Sequence, residues 1–482
     1  MLSLPLLLLT SGPLAASPGT DLSDLFAPPT TADLLAVEAD WDSRNPVADG
    51  WQIEATTQVA GYRVDVVSHL VDGFRHYAAV RFPAQLQPGG SHPVLVVCHG
   101  GSNGVGLGAL PGFDSLTPGT CLEDDAFVLL PSYRGEVLAA GDLGSWLSEG
   151  PPSIIDRDVD DTMALISCVL EEIPETDGER VFAHGGSRGG AVTLLLSVRD
   201  PRIQAAVEFY AASDHTLPSI QSECEALANA GGGAGSNAVS NHAWTYAAEP
   251  YLAGTLTLAE ARQVLHACSM AFFAHRLPPL QAHHGTADGA VLFEQSERLA
   301  AAMTDLGVAT PCFEFFAYPG GGHNPGTLSG AGGRLEDFLC NAISGQLDLS
   351  PCDCKTWTYC ELNPNTAGAG ARMTYGGSTS VAADDLVLGC VGLPANKPGL
   401  FFHGPERRSL GLGEGTLCIA GGLKRLPVVL TGATGEASWS LDVATAGFEA
   451  GQTVHFQFWF RDPAGGPAGN NLSDGLGVVF CP

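Results

Sequence analysis

The chain has 482 residues, of which 45% are hydrophobic and 15% are charged, a composition typical of a globular protein with at least one large core. Its formal net charge of −30 argues against nucleic acid and anionic membrane surfaces as partners. Residues 1–350 contain 14 basic and 41 acidic residues and no lysine, whereas residues 351–482 contain 8 and 11. This break in charge predicts two modules.

The first residues, MLSLPLLLLTSGPLAAS, predict a secretory signal peptide over residues 1–17. A short leucine-rich run precedes small residues, although no Lys or Arg stands ahead of it. The alternative is a cytoplasmic chain with an apolar N-terminal arm. No later run reaches about 18 apolar residues, so no membrane insertion is expected. We therefore predict a secreted or periplasmic protein.

Thirteen cysteines in an exported chain predict disulfides, and six of them lie within residues 352–482. The odd total leaves at least one free thiol, and we expect it at Cys98, inside the apolar run VLVVCHGG. Cys352, Cys354 and Cys360 are close enough to suggest zinc, but no second spaced pair or histidine cluster follows them. Disulfides are therefore predicted here, and no metal site.

Strands and helices alternate along the first 345 residues. Residues 62–84 predict a hairpin around Asp72 and Gly73. Short apolar runs typical of buried parallel strands follow at 93–101, 126–135, 180–187, 203–214 and 279–288. Helical patterns lie at 158–173, 189–198 and 292–307. This alternation predicts a doubly wound, mostly parallel α/β domain over residues 18–345, with ligands at the carboxyl ends of its strands.

Two segments depart from this pattern. Residues 215–278 combine the glycine-rich stretch ANAGGGAGSNAVSN with helical pieces around Ala259–Ala267, which indicates either a lid over a site or a surface insertion. Residues 346–482 are rich in Gly, Thr and Ser and predict a smaller all-β, sandwich-like domain. Its aromatic residues Phe456, Phe458 and Trp459 are expected in its core rather than on a sugar-binding face.

The stretch VFAHGGSRGGAVTLLLSV at 181–198 carries the main chemical signal. It contains the pattern G-x-S-x-G around Ser187, between an apolar strand and a plausible helix, as in a nucleophile elbow. The same pattern recurs around Ser102, but the residues after Ser102 cannot form a regular helix. Ser187 is therefore the candidate nucleophile.

The segment HGG at 99–101 directly follows a predicted strand. It has the form of an oxyanion loop, whose backbone N–H groups stabilise negative charge on a substrate oxygen. We expect this hole to be built from His99, Gly100 and Gly101, with the N–H of Arg188 as the second donor. The alternative is a plain turn at the end of a strand.

A serine nucleophile needs a general base, and the base needs an orienting carboxylate. In chain order these should be Ser, Asp and His. Asp288 follows one apolar strand and His323 follows another, so both fall at the strand ends where Ser187 also lies. Taken alone, Asp288 fits a helix cap and His323 a loop residue. As an ordered pair they predict a triad, with Asp214 as the second candidate carboxylate.

Residues from about 90 to 345 resemble the catalytic domain of the prolyl oligopeptidase family of serine peptidases. The matching segments are CHGG (98–101), PSYRG (131–135), DVDD (158–161), DGERV (177–181) with GGSRGG, RLPPLQAHHGTADGAV (276–291) and YPGGGH (318–323). The resemblance implies an α/β-hydrolase fold and a triad at Ser187, Asp288 and His323, with an oxyanion hole at His99–Gly101 and Arg188. It implies no cofactor.

The chain also departs from this family. Only about 90 residues precede HGG, too few for the β-propeller that family members carry, and the paired glutamates that hold a substrate amine in dipeptidyl relatives are not found. We predict a serine hydrolase cleaving peptide bonds, or alternatively esters in extracellular polymers. A non-catalytic surface-binding protein is the rival hypothesis, and metal-dependent hydrolysis through His283 and His284 is disfavoured because neighbouring strand residues face opposite ways.

The C-terminal module loosely resembles cysteine-bearing β modules of secreted bacterial proteins, on the segments NKPGLFFHG, GTLC and FRDP with NLSDGL. It is expected to bind a surface or polymer, or only to stabilise the chain.

Overall fold

The computed structural model describes residues 19–44, 46, 49–110, 121–308, 310–347, 352 and 354–482. The proposed signal peptide lies outside these residues. The helices are α1 Ser23–Phe26, α2 Thr31–Ser43, α3 Cys121–Asp124, α4 Asp156–Glu172, α5 Arg188–Arg199, α6 Pro218–Ala230, α7 Ala238–Ala243, α8 Glu249–Leu252, α9 Leu258–Ala267, α10 Glu294–Asp305, α11 Ala331–Ile343 and α12 Val443–Ala446.

The strands range from two to eleven residues in length. They are β1 Asp49–Val59, β2 Tyr62–Val71, β3 Phe74–Arg81, β4 His92–Cys98, β5 Val105–Gly106, β6 Phe127–Ser132, β7 Val137–Ala139, β8 Ser145–Leu147, β9 Thr176–Gly186, β10 Ile203–Phe209, β11 Leu280–Gly285, β12 Phe313–Tyr318, β13 Thr356–Tyr359, β14 Arg372–Gly376, β15 Val387–Val391, β16 Pro398–Gly404, β17 Glu406–Leu412, β18 Gly415–Ala420, β19 Lys424–Leu430, β20 Glu436–Ser440, β21 Thr453–Arg461 and β22 Asn470–Val479.

A nine-stranded sheet organises the first 345 residues, with the order β1-β2-β3-β6-β4-β9-β10-β11-β12. The first three strands are antiparallel, and β3 also pairs antiparallel with β6. From β6 to β12 every neighbouring pair is parallel. The predicted doubly wound, mostly parallel α/β fold is therefore confirmed, and its hydrophobic runs are the strands buried between two helical layers.

The two faces of this sheet have separate cores. One contains apolar side chains of α4, α5, α9 and α10, and the other contains those of α11 and of the segment around Leu107. The amphipathic pattern of 158–173 corresponds to α4, and that of 189–198 to α5. Because both faces are covered, the open positions for a ligand lie at the strand ends.

Residues 215–278 form a helical insertion after β10. It contains α6, α7, a π-helical turn at Trp244–Ala248, α8, α9 and a 3-10 segment at Met270–Arg276. Helix α9 covers the segment expected to be helical, and the glycine-rich stretch separates α6 from α7. Whether the insertion moves as a lid stays a prediction.

The C-terminal residues form antiparallel sheets, which confirms the all-β prediction. A five-stranded sheet, β13-β22-β21-β16-β19, and a three-stranded sheet, β14-β15-β20, share one apolar core. Phe456 and Phe458 are fully buried in that core, as expected. Trp459 is not a member of it: it packs on the opposite face of the sheet with Leu400 and Phe402, because successive strand residues point to opposite faces.

Four disulfides occur among the described residues: Cys121–Cys340, Cys312–Cys352, Cys354–Cys481 and Cys360–Cys418. Cys98 has a free, buried thiol, as predicted, and so do Cys168, Cys224, Cys268 and Cys390. Such cross-links are typical of proteins in oxidising compartments. Among the described residues, no helix has the length and apolar character needed to cross a membrane.

Replacing both Cys121 and Cys340 by alanine removes a cross-link between residues 219 positions apart, which joins α3 to α11. We expect the free energy of unfolding to fall by about 2–4 kcal/mol, since the open chain gains conformational entropy when unfolded. Guanidinium unfolding measures this loss. The control Cys168→Ala, at a buried thiol without a bridge, should cost about 1 kcal/mol. A difference from wild type that persists after complete reduction would assign the loss to packing instead.

Candidate active site

Ser187 lies in the turn between β9 and α5 and is the N-cap residue of α5. Its backbone has φ 60° and ψ −127°, a conformation that side-chain-bearing residues rarely adopt. Such strain costs on the order of 1–3 kcal/mol and persists only where the surrounding structure enforces it. Here the N–H of Ser187 donates to the carbonyl of Phe209 at 2.9 Å, which holds the turn against β10.

Two glycines beside Ser187 are required by close backbone contacts. A Cβ atom added to Gly189 would lie 2.0 Å from the carbonyl oxygen of Cys98. One added to Gly185 would lie 2.4 Å from the carbonyl oxygen of Gly189 and 2.6 Å from that of Cys98. The start of α5 therefore touches the end of β4 directly. The glycines that flank the serine in the sequence are steric requirements of this contact.

The structure brings Ser187, His323 and Asp288 into one hydrogen-bonded chain. His323 lies in the loop after β12, and its Nε2 is 2.8 Å from Oγ of Ser187. Its Nδ1 is 2.7 Å from Oδ2 of Asp288, which follows β11. Three residues that are distant in sequence thus meet at the carboxyl ends of β9, β11 and β12. A hydroxyl, an imidazole and a carboxylate in this order are the arrangement that activates serine as a nucleophile.

The carboxylate of Asp288 is held in its ionised form. Burial acts to raise its pKa, but hydrogen bonds from His284 and His323 and from the backbone amides of Val291 and Ala290 outweigh that effect and lower the pKa well below its usual range. The amides of Ala290 and Val291 donate to Oδ1 at 2.8 and 3.0 Å, respectively. Oδ2 therefore faces the two imidazoles, 2.7 Å from Nδ1 of His323 and 3.6 Å from Nε2 of His284.

Other groups around this chain have structural partners. The ring of Tyr210 packs on the imidazole of His323 with centroids 4.3 Å apart. Asp214, the second candidate carboxylate, accepts hydrogen bonds from Thr216 and, at 2.9 Å, from Nε of Arg298. Its carboxylate is therefore committed to residues other than His323.

The expected oxyanion loop lies against the nucleophile. A Cβ added to Gly100 would be 2.9 Å from the carbonyl oxygen of Gly186 and 3.4 Å from Cβ of Ser187, so the backbone of Gly100 borders the serine. The imidazole of His99 stacks on Tyr133 at 4.3 Å, and burial lowers its pKa. The N–H of Arg188, in the first turn of α5, has no acceptor within its helix. The backbone of Gly100 and the first residue of α5 thus lie on either side of Ser187.

The side chain of Arg188 forms contacts that the sequence did not predict. Its Nε donates to Asp158 at 2.9 Å. Its Nη1 contacts Glu136 and also donates to the carbonyl of Gly101 at 2.8 Å. Burial raises the pKa of Asp158 to about 7, although Arg188 acts in the opposite direction. The only sequence signal was the run DVDD, in which three aspartates begin an otherwise amphipathic helix.

A cavity of about 270 Å³ opens beside Ser187. Its walls come from α5, from the segment before α4, and from α7 and the π-helical turn of the insertion. Among the described residues that line it, none is acidic. Two buried histidines, His215 and His242, also border it, and burial lowers their pKa values to about 4 and about 3, so both are neutral at pH 7.

Ser102 and His283 lie apart from this chain of hydrogen bonds, whereas Nε2 of His284 lies 3.6 Å from Oδ2 of Asp288. Ser102 lines the cavity from the exposed loop after β4. His283 contacts Tyr318 and Gln281 at 2.7 and 2.8 Å, whereas His284 contacts Ser296 at 2.7 Å. The two imidazoles therefore have separate partners. No group of three or more His, Cys, Asp or Glu side chains suited to a metal ion occurs in the part of the chain that the structure describes.

A serine on a strained strand-to-helix turn, linked through histidine to a buried carboxylate on a mostly parallel sheet, defines a serine hydrolase of the α/β-hydrolase fold. The sequence comparison agrees with this class. Residues 120–339 match the model of the prolyl oligopeptidase family, and this part of the chain is a domain of that family. No curated protein sequence matches the chain.

Solved structures similar to this chain include both esterases and peptidases. Acetyl xylan esterase 1 from a Thermoanaerobacterium species is 18% identical over 67% of this chain and 99% of its own, with a TM-score of 0.46. A puromycin-hydrolyzing peptidase of Mycobacterium tuberculosis is 17% identical over 60% of this chain and 47% of its own, with a TM-score of 0.39. An acylaminoacyl peptidase of Pyrococcus horikoshii is 13% identical over 61% and 50%, with a TM-score of 0.37.

The contact between α5 and β4 predicts the effect of a methyl group at Gly189. Gly189→Ala must displace the carbonyl of Cys98, so we expect a loss of about 1–3 kcal/mol in the free energy of unfolding and a displaced Ser187. Denaturant unfolding and reaction with a fluorophosphonate measure the two effects. The control Gly333→Ala, in α11 with open space around the added Cβ, should keep wild-type reactivity and raise the free energy of unfolding by up to about 1 kcal/mol, because alanine favours the helix. A fully reactive and stable Gly189→Ala variant would show that the contact is not needed.

Proposed function

We propose that the chain is a secreted serine hydrolase that cleaves peptide or acyl-ester bonds through an acyl-enzyme. The observation that carries the proposal is the hydrogen-bonded chain from Oγ of Ser187 through His323 to Asp288, at 2.8 and 2.7 Å. The four disulfides support export. We also propose the division into a signal peptide at 1–17, a catalytic domain at 18–345 and a β domain at 346–482.

In the proposed reaction, His323 takes the proton of Ser187 as its Oγ attacks the substrate carbonyl carbon. Asp288 stays ionised and stabilises the imidazolium. The carbonyl oxygen becomes an oxyanion, which the N–H of Arg188 and the loop at 99–101 stabilise. The tetrahedral intermediate then expels the amine or alcohol, which receives the proton from His323. Water, deprotonated by His323, attacks the acyl-enzyme in the same way and releases the acid.

The cavity beside Ser187 supports a small substrate group that carries no positive charge. Its 270 Å³ is room for about nine water-sized groups. Much of its lining is apolar, including Ile154, Val239 and Val291. A positively charged group placed there would lose its hydration without gaining an ion pair from an acidic side chain, which is costly.

This lining bears on which acyl group the substrate carries, whereas the choice between an amide and an ester rests on the family match. With no acidic group in the described lining, the cavity offers nothing to hold a substrate ammonium, which favours blocked or internal acyl groups over free amino termini. Because residues 120–339 match the prolyl oligopeptidase family, we place peptide hydrolysis first. Hydrolysis of esters in extracellular polymers is the second proposal. Hydrolysis rates for N-acetyl-alanine 4-nitroanilide and its 4-nitrophenyl ester, which share one acyl group, separate the two.

The rival proposal is a surface-binding protein with an inert hydrolase domain. The intact hydrogen-bonded triad argues against it, because a domain without catalytic function has no need to retain a strained serine next to a histidine. Binding of a surface or polymer by the β domain is compatible with catalysis and stays a proposal.

Labelling with a fluorophosphonate tests the nucleophile. The probe should modify the wild type at Ser187, identified by mass spectrometry of the labelled peptide, and should not modify Ser187→Ala, since the activated hydroxyl is then absent. The control Ser102→Ala should label as fully as the wild type. A folded wild type that stays unlabelled would favour the surface-binding protein, and labelling at Ser102 would overturn the assignment of Ser187 as the nucleophile.

Substitution of Asp288 tests the orienting carboxylate. Asp288→Asn should reduce kcat by about 10⁴-fold, because an amide favours the wrong tautomer of the neighbouring imidazole. Steady-state hydrolysis of 4-nitrophenyl acetate measures the loss. Asp214→Asn is the matched control, since Asp214 contacts Arg298 and Thr216 instead, and its kcat should remain within about threefold of the wild type. The reverse ranking would transfer the role to Asp214.

A further inference from the structure

The guanidinium of Arg188 is a buried charge that the proposed triad does not use. Its side chain is 7% exposed and lies between two buried carboxylates, Glu136 and Asp158. Nε and Nη2 contact Oδ2 of Asp158 at 2.9 and 2.8 Å, and Nη1 contacts Oε1 of Glu136. A guanidinium held on two edges in this way has little freedom to rotate.

The same guanidinium reaches the oxyanion loop. Nη1 of Arg188 donates to the carbonyl oxygen of Gly101 at 2.8 Å. Gly101 directly follows Gly100, whose backbone borders Ser187. The residue that follows the nucleophile thus contributes twice. Its N–H lies at the start of α5, and its side chain fixes the position of the facing loop.

Glu136 holds a second point of that loop. Its Oε2 accepts a hydrogen bond from the N–H of Gly104 at 3.2 Å and lies 3.6 Å from Nε2 of His99. The segment 99–104 is therefore held at Gly101 through Arg188 and at Gly104 directly. Glu136 is the group common to both attachments, and it lies in a separate segment of the chain, just after β6.

From these contacts we infer that Glu136 and Arg188 are positioning residues that hold the loop at 99–104 in place for oxyanion stabilisation. The inference rests on the function proposed above. Asp158 completes the arrangement, because it anchors the far edge of the guanidinium and accepts the N–H of Ile155 at 2.7 Å, next to the start of α4.

A positioning role has a specific kinetic consequence. The loop contacts the substrate oxygen most strongly when that oxygen carries negative charge, so loosening the loop raises the energy of the transition state more than that of the bound substrate. Deleting one oxyanion donor costs about 10²–10³ in kcat. Releasing the loop without deleting a donor should cost less, about 10- to 100-fold, with KM almost unchanged.

The test compares Glu136→Gln with the wild type in hydrolysis of 4-nitrophenyl acetate and in inhibition by phenylboronic acid. Boronic acids form a tetrahedral adduct with the serine and therefore report on the oxyanion site directly. We expect kcat to fall about 10- to 100-fold, KM to change less than threefold, and affinity for phenylboronic acid to fall in proportion to kcat. Glu149→Gln, at an exposed carboxylate that contacts the backbone of Arg75, should match the wild type.

The outcomes separate this inference from the proposed function. A wild type that neither hydrolyses the ester nor binds the boronate contradicts the proposed function itself. Two outcomes in an active wild-type background would overturn the positioning role. One is a Glu136→Gln variant with normal kcat, and the other is a Glu136→Gln variant with reduced kcat but normal affinity for phenylboronic acid. Where Glu136→Gln does not fold, Glu136→Asp and Arg188→Lys undergo the same two measurements. Arg188→Lys keeps the N–H and the charge but cannot contact both carboxylates and Gly101 together.

Discussion

Direct contact between the backbones of β4 and α5 is the constraint on which the active site depends. The carbonyl of Cys98 leaves no room for a side chain at Gly189 or Gly185, so the start of α5 lies against the end of the strand. That proximity makes the turn at Ser187 sharp, which is why its backbone adopts φ 60°. The oxyanion loop continues from the same strand end. This one steric contact therefore sets both the position of Ser187 relative to the end of β4 and its distance from the loop at 99–101.

Charge is arranged differently on the two sides of the serine. On one side, Asp288 keeps its negative charge through two backbone amides and two histidines, of which His323 is the nearer at 2.7 Å. On the other side, Arg188 faces the carboxylates of Glu136 and Asp158. Burial raises the pKa of Asp158 to about 7. The first arrangement favours a transient imidazolium. The second neutralises the buried guanidinium of Arg188, so in the proposed reaction the oxyanion is stabilised by backbone N–H groups rather than by a free cation.

Much of this could be predicted because its signals are local. Apolar runs between Gly, Ser and Asp residues predicted the parallel strands, and the order of Ser187, Asp288 and His323 at strand ends indicated that they would meet. The contacts of Arg188 could not be predicted, because Glu136 and Asp158 are 52 and 30 residues away and sequence spacing carries no information on side-chain direction. Disulfide pairing was equally inaccessible: thirteen cysteines permit many connectivities, and proximity is decided only by the fold.

The fold also separates the chemistry from the choice of substrate. The triad and the oxyanion loop lie at the ends of strands that share one buried sheet, so their geometry is fixed by the core. The cavity wall instead comes partly from α7 and the π-helical turn, including Val239 and Tyr246, within an insertion between β10 and β11. Side chains there can change without altering the backbone contacts that position Ser187. In the proposed hydrolase, residues 238–246 therefore contribute to substrate preference, whereas the ability to attack a carbonyl is encoded in the strand ends.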